Sequence, residues 1–301
     1  MLADSGAPAP ARDRGFLWKL QRDGRTSWLY GTVHVGRPAW VAPGPQLQAA
    51  LRASSVLALE IDPEDPTLAR QMADVALEAK HGTTPGGSDP SPALPVALQQ
   101  RLAAAMVQVC IPPGVLSDMP PLLQAIALTV LDARWLGLDP AFGLDRTLAG
   151  LARARGLRVV SLETAADQTR ALQPPDAQAL QAQVGQALQQ LEDGTARRVM
   201  ARLVQAWEDG DLGRLSSYEA WCECVTTAED HQLMQRMNDG RNPGLADGIL
   251  ALHRRGAPVF AAVGALHMTG PAALPALLAA RGFRVDRVLF APPGRTIRLD
   301  N

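Results

Sequence analysis

Apolar positions along this chain fall into two patterns. Four short runs, Ser27 to Thr32, Val56 to Ile61, Leu157 to Leu162 and Pro258 to Val263, are rich in β-branched or aromatic residues and too short for helices. They predict buried strands. Long stretches of Ala, Leu, Gln and Arg, strong helix formers, separate them. Strands alternating with helices predict an α/β fold, helix-rich overall, with a mostly parallel central sheet flanked by helices.

Local signals refine this outline. Asp145 is placed as an N-cap, Arg146 to Arg155 is periodic, and Gly156 takes the position just past the helix. Thr164 with Asp167 three positions on predicts a capping box. Pro63 to Trp135, broken at Gly82 to Pro92 and Ile111 to Gly114, and Pro175 to Arg236, broken at Glu192 to Gly194 and Asp209 to Gly213, predict two helical insertions or caps on the sheet. The Pro, Gly and Ser cluster from Thr83 to Pro92 predicts a mobile loop. A flexible segment, Met1 to Arg14, is followed by a single domain over 15–301.

Chemistry enters through an internal echo. Trp28-Leu-Tyr-Gly31-Thr-Val-His34-Val-Gly36 near the start matches Phe260-Ala-Ala-Val-Gly264-Ala-Leu-His267-Met-Thr-Gly270 near the end. Each is a strand running into Gly-x-x-His. A glycine at a strand's carboxyl end permits a positive φ or a close backbone approach, so that the histidine turns back over the sheet edge. The other two predicted strands lead into acids, Glu60 with Asp62, and Glu163. Two-residue spacing on a strand puts Glu60 and Asp62 on one face. Ligands of open α/β sheets bind outside the carboxyl ends of the strands, so His34, Glu60, Glu163 and His267 are expected to border one crevice.

Two imidazoles and a carboxylate suit a divalent metal (zinc, manganese, iron or cobalt) that lowers the pKa of a bound water. Without a metal, one histidine deprotonates water while a carboxylate orients it. Both remain open on residue types alone. Familiar alternatives lack their motifs: no Gly-x-Ser-x-Gly elbow, His-Glu-x-x-His helix, phosphate-binding loop or dinucleotide fingerprint occurs.

Composition narrows the partners. A chain of 301 residues with 47% hydrophobic content can bury a full core, and a formal net charge of -1 gives no electrostatic footprint for nucleic acid. No run of apolar residues is long enough to span a membrane. Three cysteines, Cys110, Cys222 and Cys224, are too few for a disulfide framework. A helix through Cys222 and Cys224 would point their side chains about 200° apart, against a shared metal site. His81, His231 and His253 lack partners at metal spacing and are left out of the site.

The chain resembles the TraB/GumN family, which is similar to the Tiki proteases and to a wider group with erythromycin esterase and ChaN. Leu17-Trp-Lys, Leu29-Tyr-Gly-Thr-Val-His34, Leu59-Glu60-Ile-Asp62, Gly143-Leu-Asp145, Leu162-Glu163-Thr, Arg241-Asn242 and Val263-Gly-Ala-Leu-His267-Met-Thr-Gly270 carry the resemblance, in order, from about Gly15 to Asp286. It implies site residues His34, Glu60, Arg241 and His267, with Gly31, Gly264, Asp62, Asp145 and Glu163 in support. Arg241, by position only a residue between a helix stop and an Asn-Pro turn, becomes a candidate oxyanion or carboxylate binder. Tiki-like relatives imply a metal-dependent peptidase with His34, Glu60 and His267 as ligands. TraB-like, erythromycin-esterase-like and ChaN-like relatives imply pheromone inhibition, lactone opening and haem association. The expectation is therefore a metal-dependent hydrolase of peptides or small molecules, with a non-catalytic protein sequestering a peptide or haem as the alternative. Many GumN-like proteins carry an export signal; Met1 to Arg14 has no apolar core of that kind, so the expected location is the periplasm if a signal was removed and the cytoplasm otherwise.

Overall fold

The computed structural model describes residues 11–290, apart from 69, 72–73, 76–93 and 113. The predicted loop at Thr83 to Pro92, His81 and the first ten residues lie outside the described residues. In chain order the elements are β1 (Phe16–Arg22), β2 (Arg25–Thr32), α1 (Pro45–Arg52), β3 (Val56–Leu59), α2 (Val96–Gln108), α3 (Pro121–Asp132), α4 (Leu144–Ala154), β4 (Arg158–Ser161) and α5 (Ala165–Leu172). There follow α6 (Ala177–Glu192), α7 (Thr195–Glu208), α8 (Leu212–Ser216), α9 (Tyr218–Trp221), α10 (Ala228–Met237), α11 (Asn242–Arg254), β5 (Val259–Gly264), α12 (Leu274–Ala280) and β6 (Arg284–Val288). Among the described residues no helix is long and apolar enough to cross a membrane.

The four expected strands are β2, β3, β4 and β5, and they form the parallel part of a six-stranded sheet ordered β4-β3-β5-β2-β1-β6. Their carboxyl ends therefore lie along one edge. Two further strands, β1 and β6, complete the sheet, with β1 antiparallel to both its neighbours. Asp23 and Gly24, at φ 50° and 71°, supply the left-handed pair that a two-residue hairpin between β1 and β2 requires. The outer strand β6 carries Arg284, Asp286 and Arg287, charges that discourage pairing with another chain at an open edge.

Helices cover both faces. Thr32 donates to Asp145 of α4 (2.9 Å), whereas Ser27, of opposite parity on the same strand, meets His253 of α11. His253 is fully buried. Its Nε2 donates to Arg22 O (3.1 Å) and its Nδ1 accepts from Ser27 Oγ (2.8 Å), whose oxygen in turn accepts from Val259 N–H (3.1 Å). This histidine joins α11 to β2 and β5, away from the carboxyl edge.

The two helical insertions pack on each other rather than capping the sheet separately. Leu102, Met106, Leu128, Val184 and Leu188, from α2, α3 and α6, share a hydrophobic cluster distinct from the one around the sheet. Burying each such side chain contributes roughly 1.5–3 kcal/mol. The following helix, α7, reaches back to the sheet, where the buried Trp207 Nε1 donates to Gly31 O (2.7 Å).

Several local expectations are revised. The helix expected after an Asp145 cap starts two residues earlier, at Leu144 rather than Arg146, with Gly143 as N-cap; Asp145 sits in its first turn and caps nothing. Gly156, at φ 72°, follows that helix as expected, and the Thr164–Asp167 capping box is present. The helix expected through Cys222 and Cys224 ends at Trp221. Glu223 turns left-handed at φ 55°, and the two sulfurs, expected to diverge, are joined in a disulfide.

Candidate active site

At the end of β2 the chain carries His34 past a tightly packed crossing. Gly36 and Asp139 exchange backbone hydrogen bonds (3.0 and 2.8 Å), and Leu144 N–H donates to Val33 O (3.0 Å). A Cβ at Gly36 would meet Phe142 O at 2.0 Å, and one at Gly143 would meet His34 O at 2.5 Å. The two glycines thus allow the start of α4 to lie against the histidine loop. Asp145 is thereby delivered to His34: its Oδ2 accepts from His34 Nδ1 (2.8 Å) and its Oδ1 from Thr32 Oγ1 (2.9 Å).

From β3, β4 and the α10–α11 turn come Glu60, Glu163 and Arg241, all with side chains at most 10% exposed. Arg241 donates through Nε and Nη2 to Glu163 (3.0 and 2.5 Å), through Nη2 to Glu60 Oε2, and through Nη1 to Met237 O (3.1 Å). Glu60 Oε1 accepts from Gly264 N–H (2.7 Å), and Gln168 Nε2 reaches both carboxylates at 3.4 Å. One guanidinium therefore holds two buried carboxylates in fixed positions.

His267 stands on the single 3-10 turn after β5 and is 4% exposed. Asn242 Nδ2 donates to Ala272 O (2.8 Å) and His267 O (3.3 Å), which fixes the amide and aims its Oδ1 at His267 Nδ1 (2.6 Å). That acceptor requires the proton of the neutral ring on Nδ1 and leaves the lone pair on Nε2. Nε2 is 3.8 Å from Glu60 Oε2. The three elements converge on Gly264, where an added Cβ would lie 3.2 Å from Glu60 Oε1, 3.6 Å from His267 Cδ2 and 3.9 Å from His34 Nε2. Neither Gly31 nor Gly264 adopts a positive φ; both act through close approach. Gly264→Ala is expected to fold but with lowered stability, because the methyl group pushes Glu60 aside; far-ultraviolet circular dichroism with a thermal melt checks this.

The two imidazoles differ in charge. Asp145, by charge and hydrogen bond, pushes His34 up to about 9; its side chain is 66% exposed, so salt weakens that attraction. Burial pushes His267 down to about 4, against the pull of Glu60. Burial also opposes ionisation of Glu60, but the His267 and His34 imidazoles, Arg241 and the Gly264 N–H outweigh it and bring it to about 2. With the His267 ring neutral near pH 7, Arg241, His34 and that N–H keep the carboxylate charged. Among the described residues, no three His, Cys, Asp or Glu side chains are grouped closely enough to hold a metal ion.

The structure thus brings His34, Glu60, Glu163, Arg241 and His267 together at the carboxyl edge, with Asp145 behind His34. Asp62 is not among them: β3 ends at Leu59, strand alternation stops there, and Asp62 pairs instead with Arg153 of α4. The sequence model of the TraB/PrgY/gumN family matches residues 16–287. The chain belongs to that family. No curated protein and no solved structure matches it. In this TraB/PrgY/gumN protein the match spans β1 to β5, all but the last residue of β6, and every residue of the cluster. Two site residues escape sequence reasoning, Gln168 and Asn242. The Asn242-Pro243 pair, taken from sequence as a turn, opens α11 with proline in its first turn; that position beside Arg241 is the signal that could have marked Asn242.

Proposed function

We propose that this protein is a hydrolase, of peptides in first place, that activates water between His34 and His267 beside Glu60. The observation that carries the proposal is the pairing of each imidazole Nδ1 with an acceptor, Asp145 for His34 and Asn242 for His267, which turns both Nε2 atoms to chemistry. His267, neutral, has an Nε2 lone pair to take a proton from water; His34, charged, has an Nε2–H to give to the developing oxyanion or the leaving group. Glu60 is held ionised near His267 and favours the imidazolium formed there. Arg241, with its N–H groups directed to Glu60 and Glu163, acts on this reading as the residue that positions Glu60.

The two imidazoles are donors of the kind a divalent ion takes, although as placed they form no three-ligand group with Glu60. Imidazole Nε2 atoms backed at Nδ1 by an oxygen acceptor are the usual metal-ligating form, so His34 and His267 would hold it, with Glu60 joining only by releasing Arg241 or the Gly264 N–H. Such an ion would supply Lewis-acid polarisation and a more acidic water. The test is incubation of the full chain with unstructured peptides, with and without added manganese, cobalt or zinc, alongside haem titration. Cleaved product that disappears in His34→Ala supports the hydrolase. Saturable peptide or haem binding with no product under any condition favours sequestration in the same crevice.

A further inference from the structure

Away from the catalytic cluster, Cys222 and Cys224 form a disulfide across one intervening residue, in the turn between α9 and α10. A ring this small makes a poor staple, because a cross-link stabilises chiefly by restricting the unfolded chain, and the restriction grows with loop length. Closing it also accompanies a conformation unfavourable for a side-chain-bearing residue: Glu223 sits at φ 55°. The two sulfurs are unequal. Cys222 is fully buried, whereas Cys224 is half-buried and borders solvent-exposed Glu223. The backbone N–H of Cys224 lies 3.1 Å from Cys222 Sγ, a donor aimed at the sulfur. The turn is docked on neighbouring helices, with Arg198 reaching Glu223 (3.4 Å) and Arg202 donating to Trp221 O (3.2 Å) and covering its ring.

From this asymmetry we propose that Cys222–Cys224 is an exchangeable disulfide, a site for low-molecular-weight thiols entered through Cys224. An external thiolate attacks Cys224 Sγ; the bond to Cys222 breaks, its electron pair leaves with Cys222 as a thiolate, and a mixed disulfide forms at Cys224. A second external thiolate attacks the external sulfur of that mixed disulfide, releasing the oxidised thiol dimer and Cys224 as a thiolate. Two thiols are oxidised, one disulfide is reduced, and the two cysteine thiolates take protons from water. The route is directional because solvent reaches Cys224 and not Cys222; both sulfurs have a donor in reach, the Cys224 N–H at Cys222 Sγ (3.1 Å) and the Tyr218 hydroxyl at Cys224 Sγ (3.4 Å).

The test uses the full chain with exposed Cys110 replaced by serine, so that only the pair reacts. Native protein is equilibrated in mixtures of reduced and oxidised glutathione, quenched by alkylation and mapped by peptide mass, with circular dichroism followed in parallel. The expected result is reversible passage between disulfide and dithiol while the fold persists, with the trapped glutathione adduct on Cys224. In the same background, Cys222→Ser should take up glutathione about tenfold faster than Cys224→Ser, reflecting the exposure difference. A pair that never oxidises, opens only on unfolding, or yields adducts equally on both residues would overturn the proposal. Should a serine variant fail to fold, adduct mapping on the two-cysteine protein decides alone.

Discussion

His267→Ala should lower the proposed peptide hydrolysis at neutral pH by about 100-fold to 10,000-fold, the range that a positioned general base contributes, while the protein stays folded. The ring is 4% exposed and wedged between Asn242 and Glu60, so its loss leaves Asn242 Oδ1 unpaired. An unsatisfied buried acceptor costs roughly 1–3 kcal/mol, less than a typical domain's stability. The pH profile separates the two histidines. In metal-free enzyme, activity should rise as pH climbs through about 4, where His267 becomes neutral, and fall through about 9, where His34 loses its proton. His34→Ala should abolish the alkaline limb along with most of the rate. Added salt should shift that limb downward, because the exposed His34–Asp145 pair is screened. Steady-state turnover across pH, at two salt concentrations, measures both effects.

Arg241→Met should be the most destabilising single change in the cluster, lowering stability by about 3–5 kcal/mol, as expected when one member of a buried ion pair is removed. The reason is that Glu60 and Glu163 are both buried and both depend on this guanidinium. Adding Glu60→Gln and Glu163→Gln to Arg241→Met should recover most of the loss, since no uncompensated charge then remains. The wild-type protein has the matching acid sensitivity. Glu60 falls from an ordinary 4.5 to about 2 on folding, so its contribution is full above about pH 4.5 and is lost as pH drops toward 2. Urea unfolding of the three proteins at pH 7 and of wild type at acid pH provides the check.

The parallel part of the sheet was legible because each strand is a short apolar run that leads into Gly-x-x-His or an acid, and those ends share one edge. The β1–β2 hairpin carried an available signal, Asp23-Gly24 between alternating runs, whereas β6, short and charged, has little apolar periodicity to read. His34, Glu60, Glu163 and His267 were likewise legible as strand termini, Arg241 came only with the family resemblance, and most of the groups that orient them were not legible. Asp145 reads locally as a helix N-cap and joins the supporting residues only with the family resemblance; the crossing of residues 33–36 with 139–144 is what gives it to His34. Gln168 and Asn242 are uncharged amides whose roles arise from tertiary packing. Local propensity also carried a helix through Cys222 and Cys224, where the left-handed Glu223 ends it.

The central claim, that the two Gly-x-x-His histidines form one hydrolytic site, is tested most directly by assaying one preparation of wild type and one of His34→Ala/His267→Ala for peptide turnover and for bound metal by elemental mass spectrometry after metal loading. The account predicts turnover in the wild type only, and any metal that the wild type takes up at the two histidines lost from the variant. A folded double variant that cleaves peptide at the wild-type rate would contradict it.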